Sequence, residues 1–335
     1  MSSSPPRDTP RPPAGPGQDP GQPFEWGSYV AWLVERHGTL AAVAEALAAR
    51  RSYEDAVSSV ERALRRLRDR GSRDGGVWGQ RALRAFGMPE DVDSRVRWMG
   101  QYHTRFVDLP RSLCLELLRP WDRPPVSESR ARAWVQLGLA SVALRGRERD
   151  LAGEHLRAAE SAAVGLARIE WNLAQAFLLG RDEIDRGLRL VEAAGSMMET
   201  EPMSEHDAAC YRARWVDHLG WYDNVVRRDH EAARARYAAL PEHGPAFARV
   251  RRDNGLGWSL LKLGDRAQAR VCARRSIEAA GDGGSLRLRV MALSLLAATL
   301  AGDEADAVRA RAAAITARLQ DEELRVRLER RRQVD

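Results

Sequence analysis

Few side chains in this 335-residue chain stand at spacings that do chemistry. His206 and Cys210 are four residues apart and His218 follows eight later, and imidazole and thiolate on one helix side are zinc ligands. The ordinary reading of such a set on a helix is coincidence, and no metal is expected. His103 and Asp108 could pair, but one His with one Asp is not a site. His230-Glu231 continues Ala-Ala-Arg rather than completing HExxH, and no GxSxG occurs. The glycines of 71–79 follow no strand and lead to no GK[ST], so they do not form a phosphate loop. No catalytic residue and no cofactor is expected.

Two further groups suit recognition. Arg62, Arg65 and Arg66 can form one basic strip on a helix and contact phosphates or base edges. Trp98, Tyr102 and Phe106 fall at i, i+4 and i+8, a stripe down one helix side. Its interesting use is a stacking platform for bases; its ordinary fate is core packing.

The elements that must carry these residues are helical. Ala, Leu and Arg dominate, Val, Ile and Thr are sparse, and no stretch alternates with period two. The expected class is all-α. With 44% hydrophobic residues a sizeable core is available, and the length suits two or three domains or one elongated solenoid. The formal charge is +6, but Lys262 is the only lysine, and an arginine bias of that kind reflects genome composition as readily as an acidic partner. Cys114, Cys210 and Cys272 form neither a CxxC nor a disulfide framework. The N-terminus has no apolar signal core, and no apolar run reaches the roughly 18–20 residues that span a bilayer. A cytoplasmic setting without membrane contact is expected.

Residues 1–23 hold eight prolines and almost no apolar side chains, a disordered tail. Residues 24–90 read as a small helical domain. Phe24–His37 forms a first helix with Tyr29, Trp32 and Leu33 on its apolar face. Thr39 caps a second, Leu40–Ala48, and a third runs from about Tyr53 to Arg70 with Val57, Val60, Leu64 and Leu67 inward. A short helix over Gln80–Phe86 follows. HGTLAAVAEAL followed by VSSVERALRRL resembles the helix-turn-helix of bacterial regulators, whose second helix enters the major groove. The link AARRSYED is longer and more charged than that family's turn, and the arginines crowd toward the C-terminal half of the helix. Residues 91–130 read as a helical linker ending at Pro124-Pro125.

Residues 131–320 read as about five helix pairs. The clearest, RDNGLGWSLLKLGDRAQARVCARRSIEAA, places Leu256 and Gly257 in a first helix, breaks at Gly264, and lays Ala269, Ala273 and Ser276 along a second. Trp134, Leu137 and Gly138 mark an earlier pair, and Leu219, Gly220 and Ala232 another. Ala307 stands in the last, where Gly302, Ala307, Arg311 and Ala314 echo the clearest unit at an offset of 38. Residues 195–207 read as an inter-repeat loop. These placements resemble the tetratricopeptide repeat. The resemblance implies an α-solenoid whose concave face, lined by the first helix of each pair, holds a partner protein or peptide. The charged segment 321–335 would cap it. The expected function is therefore a non-enzymatic interaction or regulatory scaffold. The alternative is a DNA-binding regulator whose repeats sense a signal.

Overall fold

A computed structural model describes residues 24–50 and 56–332. The proline-rich tail, residues 51–55 of the AARRSYED link with the expected helix start at Tyr53, and residues 333–335 lie outside the described residues. Among those described, every regular element is a helix. No helix is long and apolar enough to cross a membrane.

Four helices build the N-terminal unit: α1 (Trp26–His37), α2 (Leu40–Ala48), α3 (Val57–Arg70) and α4 (Gly76–Phe86). The Thr39 hydroxyl accepts from the Ala42 amide at 3.1 Å and starts α2, as the sequence predicts. Tyr29 and Leu33 of α1, Val43 and Leu47 of α2, and Val60 and Leu64 of α3 are fully buried against one another. The stretch read as a glycine turn is half helix, because α4 begins at Gly76. A Cβ at Gly75 would lie 2.2 Å from the Trp26 ring, and Gly75 has φ +77°, so the turn closes directly over that indole.

The core does not stop at residue 90. Buried side chains run without a break from Trp26 through Val92, Met99, Phe106 and Leu118 to Trp134. The segment expected to link two units is packed on both. It comprises α5 (Glu90–Gly100), a 3-10 turn (Arg105–Asp108) and α6 (Arg111–Leu118). A Cβ at Gly100 would fall 2.3 Å from the Trp134 carbonyl oxygen, so α5 crosses the next helix at backbone contact.

Five helix pairs follow. They are α7 (Arg132–Arg145) with α8 (Arg149–Glu160), α9 (Leu166–Leu179) with α10 (Ile184–Thr200), and α11 (Glu205–Trp221) with α12 (His230–Ala238). The last two are α13 (Ala246–Lys262) with α14 (Arg266–Gly283), and α15 (Leu286–Thr299) with α16 (Gly302–Leu319). The first members α7, α9, α11, α13 and α15 pack side by side, each against its own second member as well. No short helix of this kind buries an apolar face alone; stacking supplies the partner. At the α13–α14 crossing a Cβ on Gly257 would stand 2.5 Å from Leu295 Cδ2 and 3.1 Å from Cys272 Cβ, while Ala269, Ala273 and Ser276 are fully buried. Gly264 turns the chain between the two helices at φ +90°.

Several expected details are corrected. The supposed loop 195–207 is helical as far as Thr200, and α11 begins at Glu205. Ala232 is only half-buried; its neighbour Ala233 is the fully buried one. Ala307 and Ala314 are exposed, and Ala305, Ala312 and Thr316 fill the seam instead. The two glycines are not equivalent. Gly264 lies in the turn two residues before α14, whereas Gly302 is the first residue of α16, so the helix starts repeat at an offset of 36 rather than the 38 of the glycines.

The array closes on itself. A final helix, α17 (Glu322–Arg332), packs against both α15 and α7. Arg145, at the end of α7 and 2% exposed, donates to the Leu319 carbonyl at 2.7 Å and to the Leu109 carbonyl at 2.8 Å.

Candidate functional site

Two places gather charged and aromatic side chains. The first is the inner face of the pairs. The expected Trp98–Tyr102–Phe106 stripe does not exist, because α5 ends at Gly100 and the chain turns before Tyr102. Residues 101–109 cross the inner face as a strap instead. Trp98 stays partly exposed and stacks edge-on with Phe106, while Tyr102 enters the array.

Tyr102 is held by three helices at once. Its hydroxyl accepts from Arg251 Nη2 of α13 at 3.0 Å and from Arg287 Nη1 of α15 at 3.2 Å. The Arg214 guanidinium of α11 lies 4.6 Å from the ring centroid. Burial resists ionisation of this phenol, but the Arg287, Arg251 and Arg214 charges outweigh it and bring the group down to about 8. Each arginine also has its own carboxylate: Arg214 pairs with Glu170, Arg251 with Asp217 at 2.6 Å, and Arg287 with Asp321 at 2.7 Å. Lone buried charges are costly, and pairing relieves that cost.

His103 does not pair with Asp108. Its Nε2 lies 2.9 Å from Asp207 Oδ1, and Arg97 reaches Asp207 Oδ2 at 2.6 Å. The bonds from His103 and Ser204 and the Arg97 charge hold the Asp207 carboxyl at about 2, against partial burial. Asp108 instead accepts from the Arg287 amide at 2.9 Å. The strap is thus stitched to α11 and α15 at both ends.

The zinc reading of His206, Cys210 and His218 has no geometric support. Among the described residues no group of three or more His, Cys, Asp or Glu stands close enough to hold a metal. Burial, with Asp207 nearby, pushes the Cys210 thiol up to about 12, so it is a poor source of thiolate. Burial and the Arg214 and Arg251 charges hold His218 at about 3. Cys114, Cys210 and Cys272 are all buried free thiols.

The second place is α3. Val60, Leu64 and Leu67 point into the core, and Arg62, Arg65 and Arg66 lie on the opposite, exposed face. Arg65 carries an i,i+4 ion pair to Glu61. Arg62 folds back along its helix, Nε to the Ser58 carbonyl at 3.3 Å and Nη2 to the Ser59 hydroxyl at 3.4 Å. The three remain one solvent-facing strip. No strand flanks residues 71–75 among the described residues, so the turn after α3 is not a wing.

The repeat-packing positions fall as follows. Trp134, Leu137, Gly138, Gly220, Gly257, Ala269 and Ala273 are buried; Leu219 and Leu256 are half-buried; Gly264 is an exposed turn residue. A Cβ at Gly220 would meet the Tyr237 ring at 2.4 Å. The residues that reading missed are the inner cations and their partners: Arg145, Arg214, Arg251, Arg287 and Asp207. Their contacts with the strap span 36 residues for Arg145 and more than a hundred for the others, so no local pattern marks them. Comparison with known proteins gives no match: no family model, no curated protein and no solved structure matches the chain.

Proposed function

We propose that the chain is a DNA-binding regulator, in which the N-terminal helices contact DNA and the repeat pairs, read as a tetratricopeptide-like array, form the regulatory part. The observation that carries this reading is the contrast between two sets of arginines. Arg145, Arg214, Arg251, Arg252 and Arg287 are tied inward to carboxylates or carbonyls. Arg62, Arg65 and Arg66 face solvent together on a helix whose other side is core. A surface strip of guanidinium groups suits a phosphate backbone, which supplies most of the affinity in such complexes. The order α2 then α3 also supports the helix-turn-helix resemblance. The test is selection of fragmented genomic DNA by the full chain, followed by sequencing. The reading expects recurrent short sites whose recovery falls with added salt; recovery no better than a carrier protein at low salt contradicts it.

The second reading keeps the inner face as a site for a partner protein or peptide. It is favoured by one observation: that face already holds a short irregular segment of the chain, the 101–109 strap. On this reading a partner competes with the strap. A pull-down with the full chain and with a strap variant, Tyr102→Ala, tests it. Capture by the variant alone supports competition; capture by neither contradicts it.

A further inference from the structure

The last pair of the array is built unlike the others on its outer side. The mid-helix exposed positions of α8 are Asp150, Leu151, Glu154 and Arg157, and those of α10 include Arg186, Arg189 and Glu192. That is the charged surface expected of a solvated outer helix. Helix α16 instead exposes Ala307, Ala310, Ala313, Ala314 and Ala317, with Arg311 the one exposed charged residue among them. Asp303, Glu304 and Asp306 stand in its first turns, and Arg318 in its last. Beside this face lies a cleft of about 710 Å3 between the end of α15, α16 and α17. Its walls include Ala297, Ala298, Ala310, Ala313, Ala317 and Leu328. Glu322, Arg325 and Leu328 of α17 form the facing wall.

We propose that this end of the array docks on a second copy of the chain, α16 against α16, antiparallel about a twofold axis. Charge complementarity selects the occupant and the direction. Ala307, Ala310, Ala314 and Ala317 follow the 3-4-3 spacing of a two-helix seam. With the axis level with Ala312, Ala307 meets Ala317 of the second copy and Ala310 meets Ala314. Glu304 of each helix then falls beside Arg318 of the other, twice by symmetry. A parallel pair would lay the two acidic first turns side by side. Antiparallel packing also opposes the helix dipoles favourably. Small side chains allow the axes to approach closely, and an isologous contact of this type closes at two copies. The cleft between α16 and α17 is covered on its open side by the second copy. The two Arg311 side chains meet near the axis and oppose the contact, which makes the dimer concentration-dependent rather than obligate. This inference stands apart from DNA binding: either holds without the other.

The test is analytical ultracentrifugation of the full chain across a concentration series. A monomer–dimer equilibrium is expected. Ala310→Glu combined with Ala314→Glu leaves a monomer of unchanged circular dichroism, since both positions are exposed. Glu304→Arg and Arg318→Glu each weaken the dimer about tenfold by setting like charges together, and the double variant recovers most of the loss. Arg311→Ala strengthens it. A chain that stays monomeric at every concentration overturns the proposal. So does a dimer indifferent to the two alanine changes, or a double charge variant no better than the singles.

Discussion

The Tyr102 hydroxyl bridges Arg251 and Arg287, accepting from both across two neighbouring helices of the inner layer. One phenol oxygen thereby ties the strap to α13 and α15. Removing that oxygen while keeping the ring isolates its contribution. Tyr102→Phe should destabilise the protein by about 1–3 kcal/mol, because two buried guanidinium N–H groups lose their acceptor. Urea unfolding monitored by circular dichroism measures it. A loss below about 0.5 kcal/mol, the range of an ordinary surface change, would show that the strap is not anchored there.

The same three arginines give Tyr102 a spectroscopic signature. Its phenol is expected to ionise near pH 8, below the ordinary tyrosine range. The folded value lies below the unfolded one, so the linked stability is fully present above about pH 10 and is lost as pH falls through 8. Ultraviolet titration of phenolate should show one early step in the wild type that Tyr102→Phe abolishes. Titration of every tyrosine at or above its usual value would contradict the arginine cage.

Asp207 acts at the opposite end of the pH scale. His103, Ser204 and Arg97 hold its carboxyl at about 2 in the folded chain. A depressed carboxyl stabilises above its unfolded value near 4, and that stability drains away as pH falls from about 4 toward 2. The contribution is about 2 kcal/mol at neutral pH, an order-of-magnitude figure. Asp207→Asn should lower stability at pH 7 by that order and flatten the acid limb of the stability curve. An unchanged acid limb would mean that Asp207 does not staple the strap to α11.

Helix contact distance gives a paired test. A Cβ at Gly255 would sit 2.1 Å from the Tyr237 ring, inside the α12–α13 contact, whereas a Cβ at Gly281 on α14 meets nothing within 4 Å. Gly255→Ala should cost about 1–3 kcal/mol through overpacking. Gly281→Ala should instead stabilise by about 0.4–1 kcal/mol by reducing the freedom of the unfolded chain. Thermal melts of both variants read the two signs; equal effects would place Gly255 away from a crossing.

How much of this was legible in the sequence depends on the range of the interaction. The all-helical class, the α13–α14 pair around Gly257 and Ala269, and the Thr39 cap follow from local spacing, and the structure carries all three. The register of the last pair was not legible, because Gly302 begins its helix whereas Gly264 precedes one by two residues, so aligning the glycines puts Ala307 where Ala305 stands. The 101–109 strap was hidden for another reason. Helical periodicity continues through Tyr102 and Phe106 in the sequence, and only contacts with residues 207, 251 and 287 pull the chain off that course. Arg62, Arg65 and Arg66 share an exposed face as their spacing implies.

The measurement that reads this face is DNA affinity as a function of salt, using fluorescence anisotropy with the full chain. A site recovered from the genomic selection serves as probe, and a scrambled duplex as control. The account predicts tighter binding to the site and a loss of affinity with salt. In Arg62→Ala/Arg65→Ala/Arg66→Ala, the log–log salt slope should be shallower by about 2–3 and affinity at least about tenfold lower, with the circular dichroism unchanged. Equal affinity and equal slope in the wild type and this folded variant would contradict it.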